Sequence, residues 1–222
     1  MALTLNIEKS SEICSVCISK TGEVKDFRED RNKNSHARVL TLLIDELLKS
    51  NSIKYNELDA VAVSAGPGSY TGLRIGVTTA KGLCYSLNKP LLLISTLEAL
   101  TVGIRQKVSE ENFFAMPVID ARRNDVYTAL YSSDGKEILP AGCETLREEL
   151  EKKVICLGEI YVGGNATEKC KAVFRSTQIH FTEDIFCDSR HLAKISFEKF
   201  QQKNFASLAY SEPFYLKEFQ GK

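Results

Sequence analysis

Apolar and polar positions along the first thirty residues follow the short period of β-strands. We predict three strands there, at Leu3–Glu8, Ile13–Ser19 and Glu23–Glu29, because turn-forming residues separate them. Apolar residues then recur at helical spacing from Ser35 to Lys49. The run from Leu58 to Ala65 is apolar at almost every position, which is typical of a parallel strand that is buried on both faces.

The pattern becomes helical again from Thr71 to Asn88, and a second buried strand is predicted at Leu91–Ile94. A further helix starts near Thr96. The first half of the chain therefore has the order βββαβαβα, in which the first strands form an antiparallel meander.

The same order restarts in the second half of the chain. A hairpin is predicted at Phe113–Asp120 and Val126–Ser132, and a weaker strand at Glu137–Leu139. Helical and strand patterns then alternate in the segments Cys143–Lys152, Val154–Gly158, Ala166–Val173 and Ser189–Lys203. We therefore predict an α/β fold with two lobes, residues 1–101 and 102–222, as in the actin-like or sugar-kinase-like (ribonuclease H-like) class.

The composition is that of an ordinary folded protein. Of the 222 residues, 43 % are hydrophobic and 26 % are charged, and the formal net charge is zero. Zero net charge argues against direct, high-affinity binding to nucleic acid, which needs a basic surface. The start of the chain does not read as a secretion leader, and no apolar run has the length of a membrane span. We therefore expect a cytoplasmic protein without a membrane partner.

Seven cysteines without a secretion signal are expected to be reduced thiols. Cys14 and Cys17 have the spacing of half a metal site, but they lie in a predicted strand, where positions three apart point to opposite faces. No second pair accompanies them, so we interpret both as small core residues.

Glycines are concentrated between the buried central strand and the second predicted helix. This arrangement directs backbone N–H groups and a positive helix end towards an anion. It is not a Walker loop, because Leu73 and Arg74 follow where Lys and Ser or Thr would stand. The spacing of the glycines does not decide between two interpretations. The turn either allows the strand and the helix to pack closely, or it lies near a bound nucleotide. The residues of this glycine turn are Gly66, Pro67, Gly68, Ser69, Tyr70, Thr71 and Gly72.

The stretch from Gly66 to Gly76, GPGSYTGLRIG, resembles the signature of the TsaB family, subunits of the bacterial machinery that makes threonylcarbamoyladenosine in tRNA. Ile7–Val16, Asp120–Tyr127 and Pro213–Lys217 resemble further segments of that family. The resemblance implies an actin-like fold with a reduced second lobe. We also expect the tail of the chain to pack back on the first lobe.

The candidate catalytic groups depart from those of active enzymes with this architecture. Glu8 stands where a kinase or ATPase has the aspartate of an Asp-x-Gly loop, and Asp120 is followed by arginines rather than by a phosphate loop. The simpler interpretation is that both carboxylates cap turns or pair with Lys9 and Arg122. His36 lacks the second histidine of the His-x-x-x-His pair found in the related TsaD, because Leu40 occupies that position. We predict no catalytic residue, no metal site and no cofactor.

The two predicted helices of the first lobe indicate a partner surface. Apolar residues cover roughly 240° of the first helix, whereas one sheet covers a stripe of about 100°. The second helix combines basic, aromatic and small residues on its outer side, as interfaces do. We therefore predict a homodimer in isolation. The predicted interface residues are His36, Val39, Leu40, Leu43, Leu47, Arg74, Thr78, Lys81, Gly82 and Tyr85.

The resemblance implies a non-catalytic scaffold that pairs with TsaD, with TsaE as a further partner. On this interpretation, tRNA meets the chain only indirectly, through the complex. The alternative is an active, small nucleotide-binding kinase or ATPase of the same fold.

Overall fold

A computed structural model describes residues 2–32 and 37–217, and the chain divides into two compact units. Unit 1 comprises Met1–Ala99 and Cys187–Phe214, and unit 2 comprises Leu100–Phe186 and Tyr215–Lys222. The division near residue 100 lies close to the predicted lobe boundary. The segment Cys187–Phe214 differs from the predicted ranges, because it is part of unit 1 rather than of a continuous second lobe.

Unit 1 contains a five-stranded sheet with the order β3-β2-β1-β4-β5. Strands β1, β2 and β3 pair antiparallel, which confirms the predicted meander, and β4 and β5 continue the sheet in parallel with β1. The strands are β1 (Leu3–Glu8), β2 (Cys14–Lys20), β3 (Glu23–Asp30), β4 (Ala60–Gly66) and β5 (Leu91–Ser95).

Helices cover the sheet of unit 1, in which β1, β2 and β4 are buried along almost their whole length. The α-helices of the whole described chain are α1 (Ala37–Ser50), α2 (Tyr70–Leu87), α3 (Thr96–Lys107), α4 (Glu148–Ile155), α5 (Thr167–Val173) and α6 (Leu192–Gln201). Helix α1 contacts β2, β3 and α2, helix α2 contacts β4, β1 and β5, and helix α6 contacts β1, β4 and β5. Within the described ranges, no helix combines the length and apolarity required to cross a membrane.

Unit 2 contains a second five-stranded sheet with the order β10-β9-β6-β7-β8. Its first three strands are again antiparallel neighbours, and β9 and β10 are added in parallel. The order therefore matches that of unit 1, as the restarting pattern predicted. The strands are β6 (Phe114–Asp120), β7 (Asp125–Ser132), β8 (Glu137–Thr145), β9 (Ile160–Gly163) and β10 (Ile179–Thr182).

Two predictions for unit 2 are wrong. The segment Cys143–Lys152 is not one helix, because β8 runs to Thr145 and α4 starts only at Glu148. The predicted strand Val154–Gly158 begins inside α4, where the side chain of Val154 packs into the core of unit 2. Neither β9 nor β10 was predicted, since a strand of four residues gives little periodicity to read.

Two leucines of α1 test which face of the helix contributes to the free energy of unfolding of unit 1. The Leu47 side chain is completely buried in the core, whereas the Leu42 side chain is 48 % exposed. We expect Leu47→Ala to lower the free energy of unfolding by about 2–5 kcal/mol, because it leaves a cavity. We expect Leu42→Ala to change it by less than about 0.5 kcal/mol. Urea denaturation of both variants checks this difference, and equal losses would contradict the placement of α1.

Candidate functional site

The glycine turn between β4 and α2 lies directly against the connection between β1 and β2. A Cβ atom added at Gly68 would overlap the carbonyl oxygen of Ser10, and one added at Gly72 would overlap the carbonyl oxygen of Lys9. Glycine is therefore required at both positions so that two backbone segments can approach each other. The spacing of the turn indicated this need for glycine but not what approaches it.

The N-terminal end of α2 is held by the protein's own oxygen atoms. The Ser69 amide donates to the Ser10 carbonyl at 2.6 Å, and the Ser69 hydroxyl caps the helix by accepting from the Gly72 amide at 3.3 Å. Carbonyl oxygens carry partial negative charge and so satisfy the positive end of a helix. The backbone of Lys9 and Ser10 therefore lies where a bound anion would approach the glycine turn.

The C-terminal part of unit 1 also packs on this turn. Gly66 has φ +117°, and a Cβ atom there would overlap the Phe214 carbonyl oxygen. The Phe214 amide donates to the Ala65 carbonyl at 2.6 Å. One side chain of α2 fixes the same segment, since Lys81 Nζ donates to the Ser211 carbonyl at 2.9 Å.

Glu8 links the three segments around the turn and is completely buried. Its Oε1 accepts hydrogen bonds from the Ser10 amide at 2.6 Å and from the Ser64 hydroxyl at 2.9 Å. Among the described residues, Oε2 has no hydrogen-bond partner. Burial raises the pKa of Glu8, and the hydrogen bonds from Ser10 and Ser64 oppose that rise. The carboxyl group therefore caps a turn and bridges two strands.

Asp120 has the corresponding position in unit 2, at the end of β6. Its Oδ1 accepts from the Arg122 amide at 2.7 Å and from Lys169 Nζ at 2.6 Å. Like Glu8, it caps the turn two residues further along the chain. The cap that the sequence suggested is therefore present at both carboxylates.

Cys14 and Cys17 are buried free thiols, as the sequence indicated. Burial raises the pKa of Cys14 to about 11 and that of Cys17 to about 12, so both are protonated at neutral pH. The Cys17 Sγ donates to the Ser189 carbonyl at 3.2 Å. Over the described part of the chain, no three His, Cys, Asp or Glu residues are grouped as they would be around a metal ion.

The outer face of α2 is exposed along most of its length. Tyr85 is 83 % exposed, and a Cβ atom added at Gly82 would meet no atom within 4 Å. The Arg74 guanidinium lies 4.1 Å from the centre of the Tyr70 ring, which fixes its direction. We call this surface the α2 face, defined by five exposed residues spaced three or four apart: Thr71, Arg74, Thr78, Gly82 and Tyr85.

The leucines of α1 do not extend the α2 face, which corrects the sequence-based assignment. Leu40, Leu43 and Leu47 are buried in the core of unit 1, because β2, β3 and α2 surround the helix and cover its wide apolar circumference. Val39 is half-buried against the same core. Of the predicted interface residues, His36 lies outside the described residues.

Lys81 is half-buried and bonded to the tail, so it supports the α2 face from the side rather than projecting from its centre. Leu42 is the large apolar side chain that α1 exposes instead of the predicted leucines. A helical wheel does not predict this exposure, because it does not show which elements flank α1.

Comparisons with known proteins find relatives named for threonylcarbamoyladenosine in tRNA. The family model for TsaD, tRNA N6-adenosine threonylcarbamoyltransferase, matches residues 30–218. The chain is 37 % identical over 123 residues to the tRNA threonylcarbamoyladenosine biosynthesis protein TsaB of Haemophilus influenzae, covering 55 % of this chain and 51 % of that one. It is 31 % identical over 153 residues to the TsaB protein of Buchnera aphidicola subsp. Acyrthosiphon pisum, covering 69 % and 67 % of the two chains. The chain thus matches between half and two thirds of the length of these relatives.

A solved structure supports the same fold. YeaZ from Pseudomonas aeruginosa superimposes with a TM-score of 0.82 and 21 % sequence identity, covering 97 % of this chain and all of that one. Together with the repeated strand order, this likeness confirms the predicted actin-like, two-lobe α/β class. From the relatives named TsaB, we conclude that this chain belongs to the TsaB family.

Proposed function

We propose that this chain is a non-catalytic subunit in the synthesis of threonylcarbamoyladenosine in tRNA, where it supports a TsaD-type transferase. Its relatives are biosynthesis proteins for threonylcarbamoyladenosine in tRNA, which suggests the pathway. The observation that carries the non-catalytic role is the occupied end of α2, where backbone carbonyls of Lys9 and Ser10 stand against the glycine turn.

An active kinase or ATPase needs the opposite arrangement. Its phosphate loop keeps backbone N–H groups available to the nucleotide, and a carboxylate handles a metal ion or accepts a proton. Here the Ser69 amide is already bonded to Ser10. Glu8 is completely buried, and its Oε1 already accepts from Ser10 and Ser64, so the chain itself encloses this carboxyl group. Both features support a scaffold rather than an enzyme.

The α2 face is the proposed docking surface. Tyrosine and arginine are enriched at the centres of protein interfaces, and Tyr85 and Arg74 both lie on this face. Gly82 lies between them and leaves room for a partner helix to approach the backbone closely. We propose that two copies of this chain pair through the α2 face in isolation, that a TsaD-type subunit replaces one copy, and that a TsaE-type subunit joins the complex.

Turnover measurements distinguish the scaffold from the alternative of a small nucleotide-binding kinase or ATPase. With magnesium present, we expect the purified chain to release no phosphate from ATP or GTP above a buffer control, because its glycine turn is occupied. Glu8→Gln serves as the diagnostic variant, since an amide oxygen can still accept from Ser10 and Ser64. Hydrolysis by the wild-type chain that this variant abolishes would establish the enzymatic alternative.

Tyr85→Ala tests the aromatic part of the α2 face. We expect this variant to weaken both self-association and binding to a TsaD-type subunit by about tenfold or more, because exposed tyrosines at interface centres contribute strongly. Sedimentation equilibrium measures the first affinity, and titration calorimetry measures the second. Tyr210→Ala is the matched control, since Tyr210 is 89 % exposed in the same unit but lies off α2. If only Tyr210→Ala lost affinity, the interface would lie outside α2.

Gly82 allows binding to be separated from folding. A side chain at this position meets no neighbour in the isolated chain, and alanine is favoured over glycine in a helix by about 1 kcal/mol. We therefore expect Gly82→Ala to raise the free energy of unfolding, and Gly82→Glu to leave the chain folded by circular dichroism. If the α2 face is the interface, Gly82→Glu abolishes partner binding. Normal binding by this variant would show that partners approach elsewhere.

A further inference from the structure

We propose that the turn between β6 and β7 contacts the phosphate backbone of RNA through Arg122 and Arg123. This inference rests on the proposed role in tRNA modification for the identity of the polyanion. It departs from the expectation that tRNA meets this subunit only indirectly. The supporting observations are the backbone of the turn, the exposure of its arginines and the charge around it.

The backbone of the turn is unfavourable for arginine. Arg122 has φ +67° and Arg123 has φ +48°, so two consecutive residues with side chains are left-handed. Glycine or asparagine adopts this conformation at lower cost. Backbone bonds close the turn, from the Ala121 amide to the Asp125 carbonyl and from the Asp125 amide to the Arg122 carbonyl. The turn thus places two long cationic side chains where small residues would favour folding.

Among the described residues, neither guanidinium is held by an ion pair, although the hydrogen bond from Lys217 and, less strongly, the charge of Arg123 lower the pKa of Asp125. Both arginines are exposed, and among residues 2–32 and 37–217 neither forms an ion pair with a carboxylate. Their backbones are used instead: the Arg122 amide donates to Asp120, and the Arg123 carbonyl accepts from Lys169 Nζ at 2.8 Å. The side chains are therefore available to a ligand outside the chain.

Within the described residues, the turn itself carries two unpaired positive charges although the whole chain is neutral. The carboxylates beside the turn are each matched by a lysine, Asp120 by Lys169 at 2.6 Å and Asp125 by Lys217 at 2.5 Å. The Leu146 amide donates to the Asn124 carbonyl, which brings the exposed Arg147 next to the turn. The exposed Glu148 and Glu149 directly follow Arg147, so the positive charge of the turn itself comes from Arg122 and Arg123.

Phosphodiester groups match this chemistry. A guanidinium presents paired N–H donors that bind two phosphate oxygens at once, and adjacent exposed arginines suit the repeated charges of a nucleic-acid backbone. Contacts of this kind position an RNA without reading its sequence. A few of them give weak, salt-dependent binding, which is compatible with a net charge of zero over the whole chain.

The test uses the 222-residue chain and a fluorescein-labelled RNA stem-loop with the length of an anticodon arm. The variant is the double substitution Arg122→Asn with Arg123→Asn, because asparagine favours the left-handed backbone and so preserves the turn. We expect its affinity, measured by fluorescence anisotropy, to fall about fivefold or more at 50 mM KCl. The slope of log K against log salt concentration should become less negative by about 1.5, as expected for two lost phosphate contacts.

The matched control is Lys194→Gln with Lys203→Asn, which removes the same charge from unit 1. Both lysines are exposed, and Lys203 is itself left-handed with φ +55°. We expect the control to bind RNA as the wild-type chain does. An equal loss in the control would attribute the effect to net charge alone, and unchanged binding by the arginine variant would overturn the proposal.

Two further measurements identify the source of the phosphate. Displacement of the stem-loop by equimolar inorganic phosphate would indicate a site for a single phosphate group and would overturn the RNA assignment. Tighter, arginine-dependent binding to phosphatidylserine vesicles would assign the turn to a membrane instead. Because no second protein is present, the assay gives an answer whether or not the chain supports a transferase, so the two proposals can fail separately.

Discussion

The close approach of the glycine turn to the β1–β2 connection is the constraint on which unit 1 depends. Two carbonyl oxygens, from Lys9 and Ser10, occupy the space that side chains at Gly68 and Gly72 would fill. This approach satisfies the N-terminal end of α2 with backbone atoms. It also buries Glu8, whose carboxyl group bridges β1, β4 and the turn. A loop that could have received an anion is thereby converted into a packing contact.

Fixing the start of α2 also determines which side of the helix remains exposed. With its other side packed on β4, β1 and β5, the helix presents the α2 face outward, and the Lys81 contact with the tail supports it from the side. The packing of the glycine turn against the β1–β2 connection therefore both fixes the turn and leaves the α2 face exposed. A scaffold needs a preformed surface of this kind, since ordering it on binding would cost affinity.

Much of this arrangement could be predicted from the sequence, and the rest depends on tertiary contacts. Periodicity identifies the meander and α2, because long runs repeat their pattern several times. The helical wheel of α2 predicted the exposure of Arg74 and Tyr85. The burial of Leu40 and Leu47 could not, since a wheel shows how wide an apolar stripe is but not which elements cover it. The return of Cys187–Phe214 to unit 1 similarly depends on contacts distant in sequence, such as that between Phe214 and Ala65.

The first hairpin of each unit has the same topology, but the two hairpins have different surroundings. In each unit the last residue of the first strand is a carboxylate that accepts from the amide two positions later, Glu8 from Ser10 and Asp120 from Arg122. In unit 1 this turn is buried against the helix that follows β4, so its polar groups are satisfied internally. In unit 2 the corresponding helix, α5, has only seven residues, and the turn beside it remains exposed with its arginines. The turn of unit 2 is therefore capped in the same way but stays on the surface, where Lys169 of α5 donates to Asp120 and to the Arg123 carbonyl.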